Sequence, residues 1–121
     1  MAIAGIGIDI VDLARFERAV GRTPRLRERL FAESERGLPL RSLAGRFAAK
    51  EALMKALGDA TDVTWHDMEV VSDAEGHPSL RLSGAAAAIA ARKGITRLHL
   101  SMSHDAGVAI AQVVAETAGE P

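Results

Sequence analysis

Residues 2–11, Ala-Ile-Ala-Gly-Ile-Gly-Ile-Asp-Ile-Val, alternate large apolar positions with small or acidic ones, and this period of two predicts a β-strand. Ile6, Ile8 and Ile10 share one face; Gly5, Gly7 and Asp9 share the other. The period then lengthens. Asp12 stands where a helix needs a cap, and Leu13, Phe16 and Val20 follow at helical spacing, predicting a helix to about Val20. Thr23-Pro24 opens a second short helix with Leu26 and Leu30 inward, proline suiting the first helical position. Gly37-Leu38-Pro39 breaks the chain before the longest helical signal, residues 39–57, which Gly58 ends. Trp65 to Ser72 and Ser79 to Leu82 read as a hairpin across Asp73-Ala74-Glu75-Gly76. Ser83 caps an alanine-rich helix that stops at Lys93-Gly94. Ile95 to Met102 and Gly107 to Val114 are two further strands flanking Ser103-His104-Asp105, and the tail after Glu116 is expected to fray. Two apparent antiparallel strand pairs favour an α+β fold over a doubly wound parallel sheet.

A length of 121 residues fits one domain spanning residues 1–121, small enough that oligomerisation would help its stability. One Trp and three Phe make the core mostly aliphatic. The absence of cysteine excludes disulfides, zinc thiolates and cysteine nucleophiles. No apolar run approaches membrane-spanning length, and the N-terminus lacks a basic stretch before a cleavable apolar one, so a cytoplasmic protein is expected. The net charge of −1 conceals an asymmetry: residues 14–46 hold nine arginines against four glutamates. Such a local field points to an acidic partner or to phosphates rather than to general nucleic-acid affinity, or else to solvated helix faces. Arg15, Arg18 and Arg22 fall on the outer face of the first helix.

The long helix raises a chemical question. Leu40, Leu43, Ala44, Phe47 and Met54 make an apolar stripe, and Glu51 falls within it. A carboxylate there needs a positive partner, either Lys55 one turn on or a bound cation. Asp9 poses the same problem on an apolar strand, where it either caps a helix, pairs with an arginine or binds a metal. Two such carboxylates suit Mg²⁺, which takes one or two of them, keeps several waters and completes its shell with substrate phosphates. Arg46 and Lys50 at i and i+4, with Lys55, offer positive charge for those phosphates. Ser103-His104-Asp105 is no catalytic triad, because neighbouring side chains on a strand diverge. His104 can instead meet a phosphate, assist a proton, or cap a turn.

Gly5-Ile-Gly-Ile-Asp-Ile-Val11, Arg46-Phe-Ala-Ala-Lys-Glu-Ala52 with Lys55 following, and Ser101-Met-Ser-His104 together resemble the three signatures of bacterial holo-acyl-carrier-protein synthases. Order, spacing and length agree over nearly the whole chain. The resemblance implies the 4'-phosphopantetheinyl transferase fold and transfer of phosphopantetheine from coenzyme A to a serine of apo-acyl carrier protein, serving fatty acid or polyketide synthesis. It implies Asp9 and Glu51 as Mg²⁺ ligands and Glu51, Lys55 and His104 as catalytic. Arg46, Lys50, Lys55 and His104 would line the coenzyme A site. Arg15, Arg22 and Arg25 would receive the acidic carrier. Either Glu51 or a metal-bound water would take the serine proton, and a homotrimer with sites between subunits is implied, with no role for nucleic acid or membrane. Gly58-Asp-Ala-Thr61 stands where many relatives have a Gly-Thr-Gly loop, and the Glu35–Ser42 connection is shorter than in many of them. A different Mg²⁺-dependent phosphoryl-transfer enzyme, or a non-enzymatic module that binds an acidic protein, are the alternative readings.

Overall fold

The computed structural model describes residues 1–119. Its elements run β1 (Ala2–Asp12), α1 (Leu13–Arg22), α2 (Leu26–Leu30), α3 (Leu40–Leu57), a 3₁₀ turn (Trp65–Asp67), β2 (Met68–Ser72), β3 (Pro78–Leu82), α4 (Gly84–Arg92), β4 (Ile95–Asp105) and β5 (Val108–Thr117). The class is α+β, with a three-stranded antiparallel sheet in the order β1-β5-β4 and a separate β2-β3 hairpin. Asp12 caps α1 as the sequence predicts, accepting from the Arg15 backbone N–H at 2.8 Å.

Several boundaries move, each for a local reason. Arg25 adopts φ 64°, so α2 begins after it and not at Thr23-Pro24. Residues 65–67 wind into a 3₁₀ turn instead of opening the strand, because the Asp67 carboxylate accepts from both the Thr64 N–H and its hydroxyl. The same carboxylate accepts from Ala85 N, so Asp67 rather than the Ser83 hydroxyl caps α4. The Ser103–Asp105 stretch belongs to β4. Only Ala106 and Gly107, both at positive φ, turn the chain into β5, the geometry of a two-residue hairpin. β5 continues to Thr117, which pairs with Ala2 and Ile95; of the tail expected to fray, Glu120 and Pro121 lie outside the described residues.

α3 is the centre of the molecule. Leu43, Ala44, Ala48, Ala49, Ala52, Leu53, Ala56 and Leu57 are all buried, since the helix lies on the sheet with one face and under β2 and the short helices with others. It crosses the sheet obliquely: Gly45 meets Met102 of β4, while Ala52 and Ala56 sit over Gly7 and Gly5 of β1. The close approach on β1 is possible only because those positions lack a side chain. A Cβ on Gly7 would stand 1.8 Å from the Ala52 carbonyl oxygen, and one on Gly5 would stand 1.9 Å from that of Ala56. Backbone cannot yield there as a side-chain tip would. Gly7→Ala is therefore expected to cost about 3 kcal/mol or more in urea unfolding. Gly21→Ala, in α1 with open space around it, is expected to be neutral or to stabilise by up to about 1 kcal/mol. Equal effects at the two positions would contradict this packing.

The glycine face of β1 thus looks inward and its isoleucine face looks out. Ile3, Ile6, Ile8 and Ile10 are 57–62% exposed. Across the register, Ile6 lies opposite Val114 and Ile10 opposite Ile110, so the β1 edge of this face carries apolar side chains that this chain does not cover, while Gln112 and the β4 residues His99, Ser101 and Ser103 keep the rest polar.

Candidate active site

Asp9 and Glu51 come together. The inward period of β1 turns Asp9 toward α3, and both carboxylates line one cleft of about 420 Å³ with Arg15, Phe16, Leu26, Phe47 and Trp65. Glu51 is not answered by Lys55. The Lys55 ammonium instead donates to the Ile8 carbonyl at 2.8 Å and to Asp9 Oδ1 at 3.2 Å. Among the described residues Glu51 makes no ion pair of its own. Burial first, and then the Asp9 charge, raise its pKa above the ordinary 4.5, while Lys55 draws it partly back.

A proton held more tightly by the folded protein than by the unfolded chain means that stability falls as pH rises from about 4.5 through the raised value. Glu51→Gln removes that penalty. It is expected to leave Tm at pH 7 unchanged or higher and to flatten this part of the pH profile, while activity falls at least ~10²-fold. A structural Glu51–Lys55 pair would give the opposite, a lower Tm with activity largely kept.

Two carboxylates side by side, Glu51 desolvated and Asp9 paired with an exposed lysine, form a set of hard oxygen donors short of positive charge. No group of three or more His, Asp or Glu side chains that could hold a metal occurs among the described residues. A divalent cation here would take two ligands from the chain and the rest from water and phosphate oxygens, a pattern suited to Mg²⁺. The donor set fits that ion.

The other expected site residues divide. Arg15 reaches the cleft rim, and Arg22 and Arg25 are exposed on the same α1–α2 side. His104 does not reach the cleft. It ends β4, its Nε2 3.9 Å from where a Cβ on Gly45 would stand, and β5 separates it from β1. At the usual strand spacing, β1 and β4 are about 10 Å apart. Arg46 also points away, toward Glu35, with its Nε 3.6 Å from Glu35 Oε2. Glu51 and Lys55 therefore occupy one flank of α3, while Arg46 occupies the other.

Lys50 is a correction. Its side chain has 0% exposure and donates to Glu35 Oε1 and the Leu30 carbonyl, each at 2.8 Å, with the Trp65 carbonyl at 3.5 Å. Burial lowers its pKa and the Glu35 hydrogen bond opposes this. An ammonium with its protons so committed does not line an open coenzyme A site. The helical wheel held the signal: Leu43, Lys50 and Leu57 recur every seven residues, so Lys50 stands within a buried row. Its partner Glu35, 1% exposed, escaped the sequence reading altogether because it lies in an irregular connection without periodicity.

Residues 5–112 match the model of the 4'-phosphopantetheinyl transferase superfamily. The chain belongs to that family. Within it, the chain is 62% identical over 117 residues to the holo-[acyl-carrier-protein] synthase of Clavibacter sepedonicus, covering 97% of this chain and 98% of that one. The crystal structure of the Neisseria meningitidis holo-[acyl-carrier-protein] synthase superposes with a TM-score of 0.88 at 35% identity, covering 96% of this chain and 100% of the other. The Helicobacter pylori enzyme in complex with coenzyme A gives 0.81 at 38% identity, covering 92% and 99%. The expected fold is thus the fold found, and the phosphopantetheinyl transferase architecture extends over nearly all of this chain.

Proposed function

We propose that this chain is a Mg²⁺-dependent holo-acyl-carrier-protein synthase, which moves 4'-phosphopantetheine from coenzyme A to a serine of an apo-acyl carrier protein. The reading rests above all on near full-length identity to holo-[acyl-carrier-protein] synthases combined with the Asp9–Glu51 cleft. The serine oxygen attacks the phosphorus next to pantetheine, the bond to the adenosine half of the pyrophosphate breaks, and adenosine 3',5'-bisphosphate leaves. Mg²⁺ held by Asp9 and Glu51 would neutralise charge on the pyrophosphate oxygens. Lys55, with its side chain 54% exposed, is free to swing from Asp9 to a phosphate. Glu51, or a water on the cation beside it, would take the serine proton. Arg15, Arg22 and Arg25 offer the basic rim on which an acidic carrier would dock beside the cleft.

The flank carrying Arg46 and the β4 end carrying His104 complete the site only if a second chain supplies them. The uncovered isoleucine face of the sheet supports such an assembly, since an apolar patch of this kind favours association. We propose a closed ring in which the β1 side of one chain meets the β4 side of the next, a homotrimer being the form that the family resemblance implies. We propose that this chain acts in the cytoplasm, in fatty acid or polyketide synthesis. No described helix is long and apolar enough to cross a membrane.

Offering coenzyme A and apo-carrier with Mg²⁺ should add one phosphopantetheinyl mass to the carrier, and chelation should stop the gain. A carrier whose mass stays unchanged with Mg²⁺ present would sink the proposal.

A further inference from the structure

The buried charges on the far side of α3 are the largest feature that the transfer reading leaves unused. Glu35 Oε1 accepts from the Ala32 N–H at 2.9 Å and from Lys50 at 2.8 Å; Oε2 accepts from the Val70 N–H at 3.1 Å. One carboxylate thereby ties the connection after α2 to α3 and to β2. Lys50 extends the tie to the carbonyls of Leu30 and Trp65, two residues whose side chains wall the Asp9–Glu51 cleft. Arg46 completes the cluster. Its Nε is buried without a hydrogen-bond partner, and Glu35 Oε2 at 3.6 Å is its nearby counter-charge. A guanidinium whose inner nitrogen is held in this way can turn only its outer nitrogens elsewhere.

We infer that Glu35 is a positioning residue for coenzyme A binding, aiming Arg46 through Oε2 and fixing the Leu30 and Trp65 walls through Lys50. The inference rests on the transferase reading, in which Arg46 meets coenzyme A. A purely structural ion pair makes a different claim. Burying two charges is close to break-even against apolar replacements, so neutralising both should return stability and, if structure were the only role, function with it.

Three variants separate the two roles: Glu35→Gln, Lys50→Met and the double variant. Each would be followed by thermal unfolding, by transfer kinetics, and by direct calorimetric binding of coenzyme A with Mg²⁺. Glu35→Gln alone should lose much stability, since it strands a buried ammonium. The double variant should recover most of the lost Tm, yet its KM and Kd for coenzyme A should stay raised by about tenfold, with kcat within about threefold of the unaltered protein. Coenzyme A affinity that recovers together with Tm would overturn the inference. Should the double variant not fold, Glu35→Asp serves instead. It keeps the charge but withdraws the carboxylate from Arg46, and unchanged coenzyme A affinity in that variant would equally overturn it. Failure of the unaltered protein to bind coenzyme A at all would instead refute the transferase reading on which the inference stands.

Discussion

Asp9→Ala should lower phosphopantetheine transfer by ~10³-fold or more while leaving the protein folded. The first half follows from place and chemistry. Of the three carboxylates that line the cleft, Asp12 is engaged as the α1 cap, so in the proposed reading loss of Asp9 would halve the chain's hold on a cation and with it several kcal/mol of charge neutralisation. The second half follows from the partner. Lys55 loses an ion pair that is largely open to water, with the lysine side chain 54% exposed, and such pairs are worth about 0–1 kcal/mol. Loss of Asp9 also removes one cause of the raised Glu51 pKa, which offsets part of that small cost. Kinetics under saturating Mg²⁺, together with a urea titration, check both halves. Retained activity would remove the metal role from Asp9, whereas a collapsed unfolding midpoint would make it a structural residue.

What the sequence made legible was whatever periodicity governs. The strand of alternating isoleucine and glycine, the long helix from the Pro39 break to Gly58 and the Asp12 cap all appear where local pattern and local chemistry place them. The pairing of Asp9 with Glu51 was legible as well, because two carboxylates in apolar runs each call for a partner. What the sequence hid was whatever depends on tertiary distance: Lys50 is buried against Glu35, and Arg46 faces away from this chain's own Asp9–Glu51 cleft. Lys50 and Arg46 do share one side of the helix, but that side meets Glu35, thirty-five residues before its third anchor at Val70. No local rule predicts such a meeting. Which face of β1 looks inward was equally hidden. Hydrophobic patterning alone would bury the isoleucines, whereas the backbone of α3 needs the glycines, and β1 turns its more apolar side outward.

That outward face and the split of the site lead to the second large effect. Asp9 and Glu51 sit on one flank of α3, while His104 lies across the sheet, beyond β5. If catalysis needs both in one place, they come from different chains, and damage to one can be repaired by a neighbour. Asp9→Ala and His104→Ala should each be nearly inactive alone, His104→Ala by ~10²-fold. Co-expressed at equal amounts, they should form mixed rings if the proposed homotrimer holds. An intact site needs an undamaged Asp9 from one chain and an undamaged His104 from the next, each present with a chance of one half. About a quarter of the sites in a closed ring are then whole.

The deciding measurement is the rate of mass gain by the apo-carrier with the co-expressed pair, set against each variant alone. Activity near one quarter of the unaltered enzyme is expected; a rate no greater than the average of the two separate variants would contradict a site shared between chains.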